Sequence, residues 1–176
     1  MTIMDMLKAA AFVLLFACIA FASADEETLS GNWVLTVGED PLSFETVASL
    51  QQASSTSIKD EYATKDVVPR LEFRCVPGNP TVLARIDWGR FISSFNTELG
   101  FKVDDGKRTW LKWGVDRTEK ITISRSGDDT QKLVEQLKLG TQLEVEISPY
   151  SEGPVAANFD LASLADALQK LQDACE

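Results

Sequence analysis

Adjacent carboxylates are the side chains in this sequence best suited to chemistry. Asp104-Asp105 and Asp128-Asp129 each set two acids side by side. Held at a fixed separation, paired acids can cleave glycosidic bonds, and carboxylate oxygens can ligate calcium. Both pairs also fall where aspartate is locally useful. The first precedes Gly106 at a hairpin turn, and the second opens a helical segment. Turn or cap, calcium site and catalytic pair are thus the three readings, with turn or cap foremost. No histidine occurs. That removes Ser-His-Asp and Cys-His mechanisms, histidine-based zinc sites and imidazole switches. Ser54, Ser55 and Ser57 have no base at hand, and no Walker or GxGxxG pattern is present. The expectation is a protein that is not an enzyme and takes no metal and no cofactor.

Aromatic and basic residues offer a binding surface instead. Trp33, Trp88, Trp110, Trp113, Phe91 and Phe95 fit either an ordinary β core or a platform for a sugar or peptide. On a strand Trp110 and Trp113 point to opposite faces, so at least one can face solvent. Arg70, Arg74, Arg85 and Arg90 could share a wet face, as solvated charge or as a small anionic or protein-contact patch. The candidate binding face is therefore Trp88, Trp110, Trp113, Arg70, Arg74 and Arg85.

Such residues need a scaffold, and the pattern supplies one. Leu71, Phe73 and Cys75 alternate with Arg70, Glu72 and Arg74. Val82, Ala84, Ile86 and Trp88 alternate with Leu83, Arg85 and Asp87. The same period-2 rhythm runs through 98–103, 120–124, 143–148 and 155–159. One wet and one dry face predict antiparallel strands on a core. Asn32–Val37 and Leu42–Leu50 read as earlier strands. Residues 51–66 are polar and read as a long surface loop or flexible hairpin. Pro77-Gly78-Asn79-Pro80 and Asp104-Asp105-Gly106 are turn signals. Two helices are predicted. Asp128–Leu139 has Ser126 or Asp128 as cap and Gly140 at its end. Leu161–Ala174 has a leucine stripe and Asp160 as cap. The predicted fold is mainly β: a single antiparallel β-sandwich domain over 25–176, with one helix before the penultimate strand and one at the C-terminus.

The first 24 residues read as an address. Lys8 precedes the apolar run from Ala9 to Phe21, and Ala22-Ser23-Ala24 forms a small-x-small site before Asp25. This is the layout of a secretory signal peptide cleaved after Ala24. Lipidation at Cys18 and a retained anchor are the alternatives. The run is shorter than the roughly 20 apolar residues of a membrane span, so no stable span is expected after processing. Cleavage leaves Cys75 and Cys175. An even count in an exported chain favours a disulfide, the alternative being two buried free thiols. The net charge of −10 argues against nucleic acid and anionic lipid as partners.

The ordered set Pro69–Cys75, Thr81–Trp88, Phe101–Gly106 with Trp110, Leu133–Leu137, Ser148–Tyr150, Asn158–Leu161 and Cys175 resembles the VasI/TagO family of type VI secretion-associated proteins. Three positions depart from the family. Lys102 stands where it often has arginine, Ser163 where it often has glycine, and the chain ends at Glu176 without a closing aromatic. The resemblance implies a periplasmic or secreted accessory protein whose partners are envelope or secretion-apparatus proteins. Residue chemistry alone leaves a second reading: a periplasmic module that binds glycan or peptidoglycan fragments through exposed tryptophans.

Overall fold

A computed structural model describes residues 25–41 and 43–176. The expected leader, its cleavage site and Cys18 lie outside the described residues, as does Leu42. Ten strands form one antiparallel sheet. In spatial order they are β1 (Asp25–Thr28), β2 (Val34–Glu39), β3 (Thr46–Ala53), β6 (Arg70–Val76), β7 (Asn79–Asp87), β10 (Ile121–Ile123), β9 (Thr109–Val115), β8 (Thr97–Val103), β11 (Gln142–Ile147) and β12 (Val155–Asp160). A separate hairpin, β4 (Ile58–Lys59) with β5 (Asp66–Val67), projects between β3 and β6. Helix α1 (Gly127–Leu137) precedes β11, and α2 (Leu164–Cys175) ends the chain.

The mainly β, antiparallel class with two helices is the one the alternation implies. The two layers are halves of a single sheet, joined through short β10, which pairs with β7 on one side and β9 on the other. Leu35, Leu50, Phe73 and Ile86 from one half meet Leu99, Trp113, Val145 and Phe159 from the other in one buried cluster. The chain just past β3 lies against β12. There the Ser55 N–H donates to the Asn158 carbonyl at 2.8 Å, and the Asn158 N–H donates to Ser54 Oγ at 3.1 Å. Side chains from both halves exclude water from this interior, which is the main stabilising term.

Helix α2 buries Leu164, Leu168 and Leu171 and packs on β2, β3, β6 and β7. Its entry is a close approach. A Cβ on Gly31 (φ 73°) would stand 2.0 Å from the Ala162 carbonyl oxygen, so only glycine fits there. That same carbonyl accepts from Trp33 Nε1 at 3.1 Å.

Several expected boundaries move for local reasons. The first long strand starts at Val34, because Ser30–Asn32 makes a single 3-10 turn. The second starts at Thr46, because the Asp40 carboxylate accepts from Ser43 N–H at 2.9 Å and holds a turn ahead of it. Residues 51–66 are not one long loop. Gln51–Ala53 complete β3, and the β4–β5 hairpin holds the far part. Helix α1 is capped by Ser126, whose Oγ accepts from Asp129 N–H at 3.2 Å. Asp160 does not cap α2. It accepts from Ala162 N–H, and the helix begins only at Leu164, after Ser163 in the left-handed region (φ 59°). In the β8–β9 turn the left-handed residue is Asp104 (φ 48°), not Gly106.

Candidate functional site

The predicted residues separate into three places. Cys75, on β6, and Cys175, the last residue of α2, form the disulfide, with Cα atoms 6.0 Å apart and a sequence separation of 100. Both are buried. Gly78 N–H also donates to the Cys175 carbonyl at 2.8 Å, so the helix end is fixed twice. This is a staple, not a reactive centre.

The tryptophan platform is not assembled. Trp88 is fully buried, with Nε1 donating to Thr122 Oγ1 at 3.1 Å. Trp113 is buried against Phe101, ring centroids 5.2 Å apart. Trp113 on β9 and Trp88 just past the end of β7 both turn inward and serve the core. Trp110 alone of the three faces solvent, at 50% exposure.

Arg70, Arg74 and Arg85 do share the outer face of β6 and β7, bordering a cavity of about 300 Å³. Arg74 is paired with Asp40, and Arg85 Nη1 donates to Glu72 Oε2 at 2.9 Å. Arg70 stands opposite Asp87 in the ladder. With two of its cations neutralised, the patch has little pull on an anion.

Asp104 and the Asp128-Asp129 pair hold turn and helix-start positions. Asp104 accepts from Thr141 Oγ1 at 2.7 Å, from Thr141 N–H at 3.1 Å and from Gln142 N–H at 2.9 Å. It ties the end of β8 to the start of β11. Those bonds, the Thr141 hydroxyl foremost, hold its carboxyl below the usual range. Asp128 and Asp129 occupy the first turn of α1, where acids complement the helix dipole. Among the described residues no cluster of three or more His, Cys, Asp or Glu could hold a metal ion.

Arg90 is not on the wet face. It is 2% exposed and draws three segments together. Its guanidinium pairs with Glu152, donates through Nη1 to the Lys59 carbonyl at 2.8 Å and through Nε to the Phe91 carbonyl at 3.3 Å. A buried guanidinium persists only when so many acceptors surround it. Two further backbone bonds lock the cluster: Tyr150 N–H to the Ile92 carbonyl and Ile92 N–H to the Glu119 carbonyl, both 2.8 Å. The β4–β5 turn is closed by Asp60, which accepts from Thr64 N–H and Thr64 Oγ1, each at 2.7 Å. Burial raises the Asp60 carboxyl's pKa, and the bonds from Thr64 and Lys65 overcome this, leaving it lowered. On this braced end Tyr62, Phe95 and Tyr150 stand 77%, 72% and 68% exposed. They are the candidate site. Sequence reading missed Tyr62 and Tyr150 and left Phe95 between core and binding platform. The available signal was large aromatics inside turn-rich segments, where no core stripe claims them.

The arrangement defines a class: a disulfide-stapled antiparallel β protein with three exposed aromatics carried on loops at its braced end. No protein-family model matches the chain, and no curated protein matches it either. Its fold is similar to that of the crystal structure of invasion associated protein B from Bartonella henselae. The TM-score is 0.51 and the sequence identity 15%, with 83% of this chain and 94% of that one covered.

Proposed function

We propose that this is an exported, non-catalytic accessory protein that works through protein–protein contacts at the Arg90-braced end. The observation that carries the reading is the display of Tyr62, Phe95 and Tyr150 on loops whose backbones are already fixed. Exposed large aromatics are the residues that dominate interface energetics. Bracing the loops beforehand removes ordering entropy that binding would otherwise cost.

Export is supported by the disulfide, since such bonds persist in oxidising compartments. Among the described residues no helix is long and apolar enough to cross a membrane. A likeness in fold to a protein described as invasion associated agrees with that setting. The association with type VI secretion rests on the VasI/TagO resemblance. One detail supports it: Ser163, where that family often has glycine, adopts the left-handed conformation that glycine adopts freely.

The test is copurification of the tagged protein with envelope components under non-reducing conditions. A companion carries Tyr62→Ser, Phe95→Ser and Tyr150→Ser together. The wild type captures a defined partner that the triple variant loses, while both melt at the same temperature. Recovery of the wild type alone across several conditions, or the same partner on the triple variant, would overturn the reading.

A further inference from the structure

The outer face of β9, β8, β11 and β12 carries a second arrangement, independent of the aromatic loops. Residues 98, 100 and 102 of β8 share this face with 110 and 112 of β9, with 144 and 146 of β11, and with 156 and 158 of β12. One row across the strands reads Trp110, Gly100, Glu146, Ala156. Gly100 is the notch in this row. A Cβ there would stand 2.6 Å from Arg108 Cδ and 3.0 Å from Trp110 Cη2. Both side chains therefore lean across β8 and lie down over the glycine. Arg108 continues to Glu144 and Glu146, pairing with both. Its Nε is closed off from solvent, so a ligand on this face meets the outer edge of the guanidinium and the two partly exposed carboxylates. Beside Trp110 the other edge of β9 is open among the described residues, because β10 pairs only with Gly114 and Val115.

We infer that this face is a carbohydrate subsite, with Trp110 as the stacking platform and Arg108, Glu144 and Glu146 as the groups that take the hydroxyls. Three observations point to a neutral sugar. First, the charges of the patch cancel: Arg108, Lys102 and Lys112 against Glu98, Glu144 and Glu146. In a chain of net charge −10, a balanced face steers neither a polyanion nor a polycation. Second, the Glu144 and Glu146 carboxylates and the Arg108 guanidinium lie on the same sheet face as the ring. A hydroxyl can donate to the first and accept from the second, whereas a purely apolar ligand would leave them unpaired. Third, a single ring laid against a strand face suits a pyranose with equatorial substituents, whose axial C–H groups make one apolar side. That chemistry is found in flat, β-linked chains.

The experiment is ligand-observed saturation-transfer NMR, with fluorescence titration, against soluble neutral β-1,4-linked hexasaccharides of glucose and of N-acetylglucosamine. An α-1,4-linked glucose hexasaccharide is the control. Wild type gives transfer to a β-linked chain and weaker transfer to the control. Trp110→Ala lowers affinity at least about tenfold, equivalent to about 1.4 kcal/mol, with an unchanged melting temperature. Glu146→Gln lowers it less, and the Tyr62, Phe95 and Tyr150 triple variant binds like wild type. The inference is overturned by no transfer to either β-linked chain at millimolar ligand, or by equal binding to Trp110→Ala. Loss in the loop variant alone would overturn it too, by placing the sugar at the other site.

Discussion

Removing the Cys75–Cys175 bond should lower stability by a calculable amount. The two cysteines are 100 residues apart. The chain-entropy treatment gives about 4.7 kcal/mol for closing a loop of that size, and measured bonds more often give about 2–4 kcal/mol. Both sulfurs are buried, so alanine is the cleaner replacement; serine would add an unpaired hydroxyl. A loss near 3 kcal/mol in a domain of this length lowers the melting temperature by roughly 6–12 °C. Either single substitution breaks the whole bond. Cys75→Ala, Cys175→Ala and the double variant should therefore melt close together, a strongly non-additive set. The assay is thermal unfolding followed by circular dichroism, oxidised and with reductant. Reductant should bring the wild type down to the variants and leave them unmoved. If oxidised wild type and Cys175→Ala melted together, the staple would contribute nothing. If the double variant showed the sum of the singles, each cysteine would be acting by packing alone.

Two further perturbations test the remaining polar devices. Glu152→Ala leaves the Arg90 guanidinium, 2% exposed, without its counter-charge and should cost about 3 kcal/mol. Arg90→Met also strands the Lys59 and Phe91 carbonyls and should cost at least as much; urea unfolding in which either variant matched wild type would refute the bracing role. For Asp104 the carboxyl is held low, so its contribution is in force above the unfolded-state value of about 3.9 and fades as pH falls through the lower folded value. Asparagine tolerates the left-handed backbone at this position. Asp104→Asn should therefore be less stable than wild type near neutral pH and converge with it in acid; a gap that stays constant down to about pH 2 would refute the assignment.

The strands and the staple were legible because alternation records burial directly. Every second residue of β6, β11 and the second half of β7 meets the core, so the pattern and the packing are one fact. The same alternation already set Trp88 on the face of Ala84 and Ile86. Reading it as a binding residue gave residue type more weight than position, and the buried Trp88–Thr122 bond corrects that. Neighbour order was not legible. Nothing in Ile121–Ile123 says that this short strand sits between β7 and β9, because the pairing depends on the whole chain from β7 to β10 returning to the same edge.

The braced end was the least legible part, for a reason that bears on how such sites arise. Loops lack periodicity, so their positions depend on specific bonds. Here those bonds converge on Arg90, in Gly89-Arg90-Phe91, where arginine would ordinarily be assigned to solvent. An arginine can replace a small core in such a place, because its fork reaches acceptors on several segments at once. Lys59, Phe91 and Glu152 belong to three separate segments, the β4–β5 hairpin and two loops, that have no common hydrophobic stripe. With the backbones held by one polar centre, the aromatics beside it are released from packing duty. Tyr62, Phe95 and Tyr150 can then face outward, an arrangement that a loop end filled with ordinary apolar side chains would not permit.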